Sequence, residues 1–319
     1  IQGEASVSFA GCGTYCTGDD AIRFYRSRPT CVNGFDMNFA KNWLFNHPVT
    51  RRVKDGFFEH DGIRHHYVTL GEGKLVVFIH GIPEFWYSWR HQIEALSQQY
   101  QVVAMDQRGF NESGRPASKE GYRVERLVED VAELIRHLGR EQAVIVGHDA
   151  GAWVAWHFAA QHPELTSRLI ILSVPHPNAM REELAEYGEQ HRASEYARTM
   201  QKEGAKPMFR PWQISLLLDR AALPFYLAAD RGTDPDAITA FYQLNYPREP
   251  YALDEALPII EVPTLVIHGK RDRFLLASGH EHNTRWLKHE PQTVMLDADH
   301  FVHQEKPHEV NKIILDWLK

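Results

Sequence analysis

Cysteine is scarce: Cys12, Cys16 and Cys31 are the three in 319 residues, and none follows position 31. An odd number leaves at least one thiol without an intramolecular partner, so most of the chain folds without disulfide staples. One disulfide can form among the three; a metal site built on them would lack nearby histidines and a second cysteine pair. Long apolar runs are missing too. Leu75 to Ile79 and Ala143 to Val146 are of strand length, against the roughly 20 residues that cross a bilayer, so no membrane span is expected. Nor is there a basic run: 35 Lys plus Arg stand against 42 Asp plus Glu, a net charge of −7, which argues against nucleic-acid binding.

What remains is an ordinary globular mixture, 43% hydrophobic and 24% charged. Residues 1–55 are poor in periodicity and read as an irregular N-terminal extension. A start at Ile1 suggests a leader removed by the cell or a cloning boundary. The first places the protein outside the cytoplasm, secreted or periplasmic, and the second inside it. From Gly56 the pattern becomes regular, with a hairpin of Phe57–His60 and Arg64–Leu70 turning at Asp61 and Gly62. The short apolar runs Leu75–Ile79, Gln101–Met105, Ala143–Val146 and Leu169–Leu172, each separated by a helix-length segment, predict buried parallel strands. After Pro175 this rhythm stops until Pro263–Ile267, resuming with a strand at Thr293–Leu296 and a helix at His308–Leu318. The expected architecture is α/β: a mostly parallel sheet flanked by helices, built from 56–175 and 259–319, with a helical cap inserted at 176–258.

Chemistry concentrates where the strand Ala143–Val146 runs into Gly147-His148-Asp149-Ala150-Gly151 and then a helix. Gly147 and Gly151 permit a sharp elbow that projects Asp149 into a cleft at the head of that helix. A carboxylate nucleophile attacks saturated carbon and is left as an ester. Taken alone, Asp149 reads more readily as a helix N-cap than as a nucleophile.

Two further turns change that balance. The strand Leu75–Ile79 ends in His80-Gly81-Ile82-Pro83-Glu84-Phe85-Trp86-Tyr87-Ser88-Trp89-Arg90, and Gln101–Met105 ends in Asp106-Gln107-Arg108-Gly109. Together with the elbow these segments resemble the α/β-hydrolase fold and, more narrowly, the soluble epoxide hydrolase family, over residues 56–319. The resemblance implies a triad in the order nucleophile, acid, histidine, hence Asp149, Asp272 after Thr264–Ile267, and His300 after Thr293–Leu296. It implies that Asp149 opens an epoxide, that His300, oriented by Asp272, activates water against the ester, and that a vicinal diol is released. Backbone N–H groups of Ile82 and Ala150 would hold the oxyanion, with His80, Gly81 and Pro83 shaping the loop. Two cap tyrosines would protonate the alkoxide: Tyr196, and Tyr242 with Tyr246 as its alternative. Trp86, Trp89 and Trp153 are expected to pack the cleft wall and core, with Trp86 also the substrate contact. The implied partners are a small apolar epoxide and water, with neither cofactor nor metal, and oligomeric state is left open.

The chain departs from the family where Ala150 replaces a common Trp and where Asp299 precedes His300. Asp299 is expected either to raise the histidine's pKa or to face solvent. Dehalogenases share the Asp elbow but follow it with a halide-holding Trp or Arg, which Ala150 does not supply. A non-catalytic small-ligand receptor on the same fold is the other alternative. His280 and His282 are expected to point apart into solvent, and His65 and His66 to opposite sides of a strand.

Overall fold

The computed structural model describes residues 47–253 and 256–319, with a short antiparallel ladder pairing Val7–Ser8 and Tyr15–Cys16. Pairing among Cys12, Cys16 and Cys31 lies outside the described residues. Regular structure starts before Gly56: Pro48–Arg51 form a 3-10 turn that buries Val49, and the first strand of the main sheet begins at Lys54.

Eight strands make that sheet: β1 (Lys54–His60), β2 (Ile63–Leu70), β3 (Leu75–Ile79), β4 (Gln101–Met105), β5 (Ala143–His148), β6 (Thr166–Leu172), β7 (Thr264–Gly269) and β8 (Gln292–Leu296). Their spatial order is β8-β7-β6-β5-β3-β4-β2-β1, and β2 alone runs against the rest. Asp61 and Gly62, both at positive φ, close the β1–β2 hairpin in the two-residue turn that suits strand twist.

The helices are α1 (Arg90–Leu96), α2 (Val124–His137), α3 (Ala150–Gln161), α4 (Pro177–Ala185), α5 (Glu189–Ala193), α6 (Glu195–Met200), α7 (Pro211–Leu218), α8 (Leu223–Gly232), α9 (Pro235–Leu244), α10 (Val302–Glu305) and α11 (Pro307–Leu318). The central strands are apolar throughout because both faces are covered. Val77, Ile79, Val103 and Ile145 pack on α2 and α3, while Val76, Phe78, Val102 and Val146 face the opposite core with α1 and α11. Each such side chain contributes about 1.5–3 kcal/mol by leaving water. Helices α4–α9 occupy the stretch between β6 and β7, and they bring Met180, Tyr196 and Tyr242 to the cleft at the carboxyl end of β5.

Candidate active site

Because β3 and β5 are neighbours, the loop leaving β3 lies against the turn leaving β5, the usual place for a site in such sheets. At that turn Asp149 has φ 52° and ψ −124°, a backbone conformation costly for a residue with a side chain. Close packing maintains it. A Cβ on Gly151 would lie 2.2 Å from the Ile79 carbonyl oxygen, and one on Gly81 would lie 2.6 Å from the Asp149 Cβ. The Asp149 side chain makes no bond to the head of α3, so the N-cap reading fails.

Its carboxylate faces two groups instead. Oδ1 accepts the Ile82 N–H at 2.8 Å, and Oδ2 lies 3.3 Å from His300 Nε2. His300 Nδ1 lies 2.7 Å from Asp272 Oδ2, while Asp272 Oδ1 accepts the N–H groups of Phe274 (2.8 Å) and Leu275 (3.1 Å). Asp149, His300 and Asp272 thus converge from three separate loops. Burial disfavours ionisation of Asp149, but the hydrogen bond and charge of His300 outweigh it and hold the carboxyl down at about 2. Burial likewise disfavours the His300 imidazolium, yet Asp272 and Asp149 together raise its pKa well above the ordinary value. Asp299 turns away: its Oδ1 accepts the His300 backbone N–H at 3.0 Å and its Oδ2 pairs with Arg273 at 3.2 Å.

The cleft above Asp149 is narrow, with a volume of about 20 Å³, and Ala150, Trp153, Tyr196, Tyr242 and Tyr246 contribute to its walls. Tyr246 donates its hydroxyl to Ser194 Oγ at 2.8 Å. Among the described residues the hydroxyls of Tyr196 and Tyr242 have no such partner, and their rings stand 5.9 Å apart at 81°. Burial raises both phenols well above their usual range, and the negative charge of Asp149 adds to this. Trp86 departs from its expected place. It is fully buried, with its ring 5.7 Å from that of Phe225 on α8, and the indole of the cleft wall is Trp153.

Sequence reasoning missed the tether beneath the site. Glu84 Oε2 accepts the Gly81 N–H at 3.1 Å and lies 2.8 Å from His148 Nδ1, and its Oε1 accepts from Gln304 at 2.8 Å. His148 Nε2 donates to the His300 carbonyl at 3.0 Å. The Glu in the segment after His80 was the available signal. His80 itself bonds through Nδ1 to the Gly81 carbonyl (2.8 Å) and accepts the Gln107 N–H on Nε2 (3.0 Å), which braces the loop.

Among the described residues three clusters of histidine and carboxylate lie close enough to share an ion. In each the carboxylate nearest the middle already serves another group: Arg108 bonds both oxygens of Asp130 (2.7 and 2.6 Å) beside His60 and His65, Asp55 lies 3.1 Å from His66 Nε2, and Glu84 is shared by Gly81, His148 and Gln304, although the rings of His65 and His303 make no hydrogen bond of their own. The expected exposure of His280 is corrected. The segment Ala277–Trp286 is a 3-10 helix that turns His280 into the interior, where His268 and Asn283 bond both its ring nitrogens.

The sheet, the elbow and the contacts of Asp149, His300 and Asp272 are those of the α/β-hydrolase class, and residues 74–307 match the family model described as alpha/beta hydrolase fold. The chain is 32% identical over 295 residues to epoxide hydrolase 3 of Xenopus tropicalis, covering 84% of this chain and 77% of that protein. It is 34% identical over 281 residues to the AB hydrolase superfamily protein YfhM of Bacillus subtilis, covering 84% and 98%. A crystal structure of Bacillus megaterium epoxide hydrolase with an inhibitor matches at TM-score 0.73 and 28% identity, covering 82% and 99%. The chain belongs to the epoxide hydrolase family of the α/β-hydrolase fold.

Proposed function

We propose that the protein adds water to a small apolar epoxide through an ester on Asp149, with residues 176–258 acting as the cap. Asp149 Oδ2 attacks one epoxide carbon, the C–O bond breaks, and the alkoxide takes a proton from Tyr196 or Tyr242. Oδ1 stays on the Ile82 N–H as the ester carbonyl oxygen. His300 then removes a proton from water, the hydroxide adds to the Asp149 carboxyl carbon, and the oxyanion forms on Oδ1 near the Ile82 and Ala150 N–H groups. Collapse breaks the bond between the carboxyl carbon and Oδ2; Oδ2 takes the proton held by His300 and leaves as the second hydroxyl of the diol, the acid proton of the re-formed Asp149 carboxyl returns to the tyrosinate, and the water oxygen remains in Asp149.

The observation that carries this reading is a carboxylate held ionised between Ile82 N–H and His300 while two unengaged tyrosine hydroxyls share its cleft. The charge logic fits as well. Ester formation removes the negative charge of Asp149, one of the two groups that hold the proton on His300, so the histidine becomes a base when one is needed.

A single turnover of a styrene-oxide-like epoxide in ¹⁸O-water tests it. The label is expected in the Asp149 side chain and absent from the diol, and Asp149→Asn is expected to form no diol. Label in the diol alone overturns the ester. Chloride from a chloroalkane without diol would favour a dehalogenase, and ligand binding without turnover a receptor.

A further inference from the structure

Behind the acid, buried polar groups are joined head to tail. The backbone N–H of His176, just ahead of α4, donates to Asn283 Oδ1 at 2.8 Å. With that oxygen occupied, the Asn283 amide nitrogen faces His280 Nδ1 at 2.9 Å, and His280 Nε2 lies 2.8 Å from His268 Nδ1. His268 Nε2 in turn lies 3.9 Å from Asp272 Oδ2. His268, His280 and Asn283 are all buried.

Proton placement follows link by link. An amide nitrogen only donates, so His280 Nδ1 accepts and carries no proton. A neutral imidazole has one N–H, so that of His280 is on Nε2 and points at His268 Nδ1. The His268 proton is therefore on Nε2, where Asp272 and the Leu275 backbone are its neighbours. Burial keeps both rings neutral by lowering their pKa values.

We propose that the Asn283–His280–His268 chain fixes His268 as its Nε2–H form and aims it at Asp272, making His268 a positioning residue that shares the acid's Oδ2 with His300. The inference rests on the assignment of Asp272 and His300 as acid and base. A second N–H dipole on that oxygen loosens the hold of Asp272 on the His300 proton. At 3.9 Å the contact is charge to dipole rather than a hydrogen bond, so the effect is modest. The other titratable groups around His300 are Asp149, the His148 ring and the His303 ring, with Asp299 on its backbone N–H; His268 also lies near His148 and His300. The variants below leave these in place.

The test is NMR of the full chain labelled with ¹⁵N-histidine, followed by titration. His268 is expected to be protonated on Nε2 in the wild type. In His268→Leu the His300 midpoint is expected to rise by about half a pH unit, and His268→Gln, which keeps an amide donor, is expected to move it back. A His268 proton on Nδ1 overturns the proposal, as does an unchanged or lowered His300 midpoint in folded His268→Leu. Should that variant fail to fold, the wild-type spectrum still decides. Neither readout uses substrate, so a failed epoxide assay with the Nε2 proton in place would reject the function and leave the relay standing.

Discussion

Nδ1 of His148 lies 2.8 Å from Glu84 Oε2, and through this contact the loop after β3, the elbow after β5 and the His300 backbone are held as one piece. Replacing Glu84 by Ala would strand the Gly81 N–H, a His148 ring nitrogen and the Gln304 amide in a buried site. A loss of roughly 3–5 kcal/mol in urea unfolding is expected, with Glu84→Gln less affected. An Ala variant as stable as wild type would contradict the tether.

The tyrosines separate by their partners. Tyr196→Phe and Tyr242→Phe are each expected to slow ester formation by roughly ten- to a hundredfold while sparing its hydrolysis, as read by stopped-flow tryptophan fluorescence. Tyr246→Phe removes the bond to Ser194 instead and is expected to cost about 1 kcal/mol of stability with ester formation retained. Equal slowing of both steps in the first two variants would argue against proton donation.

The two chemical steps should differ in acid. Asp149 remains ionised down to about 2, so ester formation persists as pH falls. Hydrolysis needs neutral His300, whose proton is held by Asp272 and no longer by Asp149 once the ester has formed, so hydrolysis weakens as that ring gains its proton and the ester is expected to accumulate as pH falls. Rapid acid quench followed by peptide mass analysis would detect it on the peptide carrying Asp149. A hydrolysis rate independent of pH through this range would remove His300 from its role.

Away from the cleft, burial of His66 disfavours its charge, but the hydrogen bonds to Asp106 and Asp55 prevail and raise its pKa to about 9. A raised value stabilises the fold fully below the unfolded value of 6.5, and the contribution declines as pH rises from there to about 9. The wild type should therefore lose urea resistance between these limits, and His66→Gln should lose less. Parallel curves for the two proteins would show that the pair contributes no pH-dependent stability.

The strands Leu75–Ile79 and Gln101–Met105 were legible to the residue, because an apolar run bounded by polar residues sets both ends. The elsewhere longer strands were not. Lys54 in β1 and His148 in β5 join the ladder through backbone bonds that leave no apolar mark. His280 and Trp86 were misplaced for a related reason: neither exposure nor cleft contact is encoded by near neighbours in the chain.

By itself the sequence determined the parallel strands and the glycine-flanked elbow that presents Asp149, since these depend on periodicity and turn residues over short stretches, whereas Asp272 and His300 were reached only through the resemblance to a family. Tertiary structure alone decided that Ser194 engages Tyr246, that Trp153 rather than Trp86 faces the cleft, and that His268 stands behind Asp272. Those relations join residues from separate elements, and their distances come from how the sheet and helices α4–α9 pack, which no local pattern specifies.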